Sequence, residues 1–235
     1  MNHLEIIIIH GLNNSSEAFF PLGKELESQG FTIRYFNLIG HEELNSNISM
    51  EESIKHLQDQ FESLPHDKKY YCIAFSQGGL VLQLISQSSK KNLVKQILLS
   101  PALKIRKNIL YRLILPLIPR SWRIKSNTPL EVRKFNELSL NYYQNLVDQV
   151  QHLKGVNRDL LDQISTFTII DPNDELVDYK ELESFIKLQK LTNWKFELFH
   201  RKNKPSRHHE LFHPMFLDQS DWSLLITNIV NFIKS

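Results

Sequence analysis

The stretch YYCIAFSQGGLVLQL, residues 70–84, starts like an apolar strand, turns at small residues around Ser76 and continues like a helix. Ala74 stands two residues before the serine, and Gly78 and Gly79 follow it. A strand that reverses into a helix within two or three residues strains the turn residue and leaves little room for bulky neighbours. It also presents the hydroxyl at the positive end of a helix that begins near Gln77. The pattern A-F-S-Q-G-G differs by one methyl group from the G-x-S-x-G nucleophile elbow. Helix N-capping is the other common task of a serine here, but capping requires no small residues on either side.

A serine hydroxyl is a weak nucleophile at neutral pH and needs a base, usually histidine, whose tautomer is held by a carboxylate. TIIDPNDELVDY offers Asp171, Asp174, Glu175 and Asp178, and PSRHHELFHP offers His208, His209 and His213. Each segment follows a strand-like run, in the order serine, acid, histidine. Acyl transfer also needs backbone N–H groups for the negative charge of the tetrahedral intermediate. The amide of Gln77 is one candidate. Leu12, after IIIIHG, is the other, because Gly11 lets the backbone bend inward; an ordinary strand-ending turn accounts for His10-Gly11 equally well.

These residues need a scaffold that brings loop ends to one edge. Strand-like runs at 4–10, 31–38, 69–75 and 93–100 alternate with amphipathic stretches, which predicts α/β architecture with parallel strands and helical crossovers. Ser49 and Glu52 have capping-box spacing, and Gly30 is a natural helix stop. From 102 to 163 the alternation breaks, with prolines at 116, 119 and 129 and a long helix-like pattern over 130–153 that shows no clear strand. This segment reads as a helical insertion. Strands return at 164–171 and 194–200, with helices at 178–191 and 221–234. Glu175 and Asp178 are expected to cap the first of these, and His41 and His213 to be structural or surface residues.

At 235 residues, 41% apolar and 23% charged, the chain suits one globular domain over 1–235. A net charge of +2, with basic residues spread along the chain, gives no continuous nucleic-acid footprint. The single cysteine, Cys72, lies in an apolar run and is expected to be buried and inert. No basic leader precedes the first strand and no apolar run reaches the 18 or so residues a spanning helix needs. A cytoplasmic protein is expected.

With these pieces in order, the chain resembles the α/β-hydrolase superfamily along its length. HGLNNSSEAFFPLGKELESQGFTIRYFNLIGH is similar to that family's opening, and FSQGG to the elbow of acyl-protein thioesterases and carboxylesterases. NDELVD resembles the acid loop of monoacylglycerol lipases, which implies Asp174 as the catalytic acid, with Asp171 as the alternative. HHELFHP resembles the histidine segment of monoacylglycerol lipases and lysophospholipases and implies His209 as the base; alignment to families with G-H before the last helix selects His208. The resemblance implies a mostly parallel sheet with helices on both faces and a helical cap at 102–163.

The cap run ILYRLILPLIPRSWRIK mixes apolar and basic residues, which suits an acyl-chain tunnel or brief contact with a membrane surface, and equally plain packing. The expected function is hydrolysis of a small-molecule acyl ester, lipid esters included, without metal or organic cofactor. A thioesterase or amidase on the same triad, or a binding protein that keeps the fold, are the alternatives.

Overall fold

The computed structural model describes residues 4–40, 48–202 and 207–235. In chain order the first half holds β1 (Glu5–Ile9), α1 (Phe20–Ser28), β2 (Thr32–Phe36), α2 (Met50–Glu62), β3 (Tyr70–Phe75), α3 (Gln77–Leu84) and β4 (Leu93–Leu99). The segment after it carries α4 (Asn108–Ile114), β5 (Arg123–Lys125), β6 (Glu137–Ser139), α5 (Leu140–Leu153) and α6 (Arg158–Leu161). The chain closes with β7 (Ser165–Ile170), α7 (Tyr179–Leu188), β8 (Trp194–Leu198) and α8 (Gln219–Lys234).

Six strands form one parallel sheet in the order β2-β1-β3-β4-β7-β8. The run of four isoleucines in β1 is buried throughout, as expected of a strand covered on both faces. Alternate residues feed two separate cores. Ile6 and Ile8 pack in a cluster with Leu22 and Leu26 of α1 and with Leu225, Ile229 and Ile233 of α8. Ile7 and Ile9 pack in the other, with Leu57 of α2, Leu80 of α3 and Leu182 of α7. The α8 residues recur every four positions, and all three are essentially fully buried. Each is worth about 2 kcal/mol relative to exposure. Helices thus cover both faces, and the predicted α/β class and mostly parallel sheet hold.

Register decides what emerges where. Ile9 pairs with Ala74, Phe75 with Leu99, and Leu99 with Ile169. The carboxyl ends of β1, β3, β4 and β7 are therefore level, so their following loops open on one edge, where ligands of open parallel sheets bind. The capping box of α2 is present: Glu52 N–H donates to Ser49 Oγ and Ser49 N–H to Glu52 Oε2. Cys72 is buried, which pushes its thiol pKa up.

Two expectations are corrected. The segment 102–163 contains strands after all, because β5 and β6 pair antiparallel, with Ile124 opposite Leu138. Three-residue strands are too short to show an alternating pattern. The helix expected over 130–153 starts only at Leu140. The backbone before it is held by the distant loop after β1: Lys134 N–H donates to Asn13 O, Phe135 N–H to Asn13 Oδ1, and Asn14 Nδ2 to Val132 O. Those bonds take the place of helical ones. Among the described residues no helix is long and apolar enough to cross a membrane.

Candidate active site

Ser76 joins β3 to α3 with φ 48° and ψ −117°, a conformation that costs a non-glycine residue of order 1–3 kcal/mol. Its hydroxyl makes no capping bond to α3, so the strain does not serve the helix. The elbow is held by its own backbone: Ser76 N–H donates to Leu99 O, and Ser76 O accepts from Ala102 N–H. Gly78 is required by close approach, because a Cβ there would lie 2.4 Å from His10 O. Ala74 is fully buried in the core that also takes Leu80 of α3, together with its strand neighbours Ile9 and Leu98.

Two loops converge on the serine. His209 Nε2 lies 2.9 Å from Ser76 Oγ, and His209 Nδ1 lies 2.8 Å from Asp174 Oδ2. With the Nδ1 proton donated to Asp174, Nε2 offers its lone pair to the serine hydroxyl. Asp174 is fixed in turn, since its Oδ1 accepts the N–H groups of Leu176 and Val177 at 2.8 Å each. Ser76 is 8% exposed, His209 3% and Asp174 0%. Burial alone would raise the Asp174 pKa, but the charge and hydrogen bond of His209 and the two amides hold it below the ordinary value. Burial would likewise lower His209, but the charge and hydrogen bond of Asp174, with Glu210 and Glu175, raise it. Phe75 lies under the imidazole, 4.8 Å between ring centroids.

The neighbouring histidine has its own acid. His208 Nδ1 lies 2.9 Å from Asp171 Oδ2, and the same oxygen meets Arg201 Nε at 2.9 Å in an ion pair whose N–H is not well aligned. Arg201 also donates to the carbonyls of Arg207, His208 and Phe216, so one buried guanidinium ties the histidine loop to the acid loop. Nothing in the sequence singles out Arg201. Asp178 caps α7 as expected. Glu175 does not: its carboxylate turns to the other loop and accepts the His208 N–H at 3.0 Å. His213 caps a short turn through its ring, and His41 lies outside the described residues.

The loop after β1 passes against the elbow, and a Cβ on Gly11 would lie 3.0 Å from Ser76 Cβ. His10 pins this loop, with Nδ1 bonded to Gly11 O and Nε2 accepting the Leu38 N–H. Among the described residues neither the Leu12 nor the Gln77 amide donates to another group of the chain. The side chain of Gln77 reaches Gln149 of α5.

Leu12, Ser76 and His209 line one cavity of about 320 Å³. Its far wall is aliphatic and comes from the inserted segment, through Leu115, Ile124, Leu138, Leu140, Leu146 and Val147. Charged residues, Arg106, Lys107, Glu175, Arg207 and Glu210, line it as well.

A level-ended parallel sheet, a strained serine turn after its third strand, and acid and histidine loops after later strands define an α/β hydrolase of the serine type. The chain belongs to the family described as Serine aminopeptidase, S33 (Hydrolase_4), which matches residues 2–154, and it is an enzyme of the serine-hydrolase class. No curated protein sequence matches it. Among solved structures, monoacylglycerol lipase from Paleococcus ferrophilus superposes with a TM-score of 0.71 at 17% identity, over 97% of this chain and 94% of that one. A soluble variant of monoglyceride lipase from Saccharomyces cerevisiae, in complex with a substrate analog, reaches 0.77 at 14% identity, over 100% and 88%. A carboxylesterase of Nitrososphaera gargenis gives 0.69 at 14% identity, over 99% and 92%. The likeness at these identities is one of fold.

Proposed function

We propose that this chain is a carboxylic-ester hydrolase for apolar acyl groups, acting through Ser76, His209 and Asp174 by way of an acyl-enzyme. The observation that carries the reading is the hydrogen-bonded row from Asp174 through His209 to Ser76, opening onto a cavity with an aliphatic wall. His209 takes the serine proton as Oγ attacks the ester carbonyl, and the Leu12 and Gln77 amides receive the oxyanion. His209 then protonates the leaving alcohol, Asp174 stabilises the imidazolium, and water attacks the acyl-enzyme by the same steps.

Residues 102–163 act as a cap over the site and contribute its apolar wall. The cavity is near the low end of the usual range of about 300–1,000 Å³ for small-molecule sites, so short and medium acyl chains are the expected substrates. The test is intact-mass analysis after incubation with a fluorophosphonate. One adduct, absent from the Ser76→Ala protein, is expected, and a panel of esters ordered by chain length follows. No adduct on the folded protein would favour a binding protein that keeps the fold. An amide substrate is the second reading, favoured by the family's description; turnover of an aminoacyl anilide faster than every ester of the panel would install it.

The cap also presents apolar groups to solvent. Leu113, Leu117 and Trp122 are well exposed, Leu117 at 82%, with Arg112, Arg120 and Arg123 exposed beside them. This mixture suits brief contact with an anionic membrane surface. The protein is expected to sediment with phosphatidylglycerol vesicles, and the double change Leu113→Asp, Leu117→Asp to lower partitioning by at least about tenfold. Equal sedimentation of the two proteins would dismiss the contact.

A further inference from the structure

Glu210 follows the base directly, lines the same cavity as Ser76 and His209, and is only 4% exposed. Among the described residues its Oε2 is buried without a hydrogen-bond partner. A buried carboxylate oxygen left without a donor is destabilising, and this one lies on the wall of the substrate cavity, where a bound donor would complete its bonding. Of the other charged groups lining the cavity, Glu175 and Arg106 are engaged. Glu175 accepts the His208 N–H and faces Arg207 Nη1 at 3.9 Å, and Arg106 Nε donates to Asp174 O at 2.7 Å.

The place of Glu210 fixes which part of a substrate it meets. His209 must reach the leaving oxygen with the proton it took from Ser76, so the alcohol half of an ester lies on the side of the base. The acyl half then lies toward the aliphatic wall of the cap. A plain alkyl alcohol would leave Glu210 as it stands, without a donor.

We propose that Glu210 is a specificity residue of the leaving-group subsite, where it accepts a hydrogen bond from a hydroxyl on the alcohol part of the ester. The proposal rests on the ester-hydrolase reading above. A hydroxyl fits better than an ammonium group, because Arg106, Lys107 and Arg207 line the cavity against only two acids, Glu175 and Glu210, and would repel a further cation. Burial pushes the Glu210 carboxyl above its ordinary pKa, so a neutral donor answers it in either protonation state.

The test compares kcat/KM for 1-butyrylglycerol and for ethyl butyrate, which share an acyl group and differ in the hydroxyls of the alcohol. The wild-type protein is expected to prefer the glycerol ester, and Glu210→Leu and Glu210→Ala each to lower that preference by about tenfold. Because both esters meet the same enzyme, the ratio does not respond to a misfolded fraction or to a general loss of activity. An unchanged ratio in the folded variants overturns the proposal. So does a preference for 2-(dimethylamino)ethyl butyrate over the glycerol ester that disappears in Glu210→Gln, since the ligand group would then be a cation. A binding arm uses the Ser76→Ala protein, with calorimetric Kd values for the same esters with and without Glu210→Ala. Binding that depends on Glu210 without turnover of any ester would keep the subsite and overturn the hydrolase reading. Turnover with ratio and binding both unchanged would do the reverse.

Discussion

In the Ser76→Ala protein, hydrolysis of the best ester is expected to fall about a millionfold in kcat, with a melting temperature within about 5 °C of the parent. The rate loss is large because the proposed nucleophile is the atom that bonds to substrate, and among the described residues no other hydroxyl is held against His209 Nε2. The small change in stability follows from the elbow itself. Its strained backbone is held by the bonds to Leu99 O and from Ala102 N–H, which alanine keeps, and the hydroxyl contributes nothing to the cap of α3. On the proposed mechanism, what remains after the change is binding and the Leu12 and Gln77 amides, which act on any water that attacks in place of the serine. A folded variant with undiminished turnover would remove Ser76 from the mechanism.

The sheet was legible because its four central strands are short, β-rich and largely buried, so each appears as an apolar run bounded by turn residues. The half-exposed edge strands β2 and β8 still show in their aromatic and β-branched residues. The cap was not. Its strands present one clearly buried residue, Leu138, and Val132 O, Lys134 N–H and the backbone of Phe135 bond to Asn13 and Asn14, more than a hundred positions earlier in the chain. No local pattern encodes such a bond. The elbow was legible for a steric reason, since only glycine at 78 clears the carbonyl of His10.

The choice within each pair of candidate groups is a different matter. Asp171 and Asp174 both sit after β7, His208 and His209 are adjacent, and each acid holds one histidine at nearly the same distance, 2.9 and 2.8 Å. Residue types cannot separate two such pairs, and the resemblance to lipase segments was what selected Asp174 and His209. In the fold the difference is made by Arg201, which occupies Asp171, and by the amides of Leu176 and Val177, which aim Asp174. Arg201 stands three positions beyond the last residue of β8, at the start of the basic run RKNKPSR. Glu210 was equally hidden, because a carboxylate next to a histidine carries no sign of being buried.

Exchanging the two acids separately is expected to divide their roles. Asp174→Asn should lower kcat about 10⁴-fold, because an amide nitrogen facing His209 Nδ1 favours the tautomer whose proton sits on Nε2, where the serine hydroxyl must donate. The pH profile adds a sign. The base works only when neutral, and Asp174 raises its pKa, so the acid limb of kcat/KM in the parent should have its midpoint above the ordinary histidine value of about 6.5. Without the Asp174 charge, burial is the largest remaining influence on His209 and the limb should move to lower pH. Asp171→Asn should instead leave kcat within about tenfold, yet lower stability by about 3 kcal/mol, since it removes the charge facing the buried Arg201. Urea unfolding and a pH–rate series on the three proteins would read all of this. A greater loss of kcat in a folded Asp171→Asn than in Asp174→Asn would transfer the role of acid to Asp171, and an unmoved acid limb in Asp174→Asn would mean that His209 is not the group that titrates.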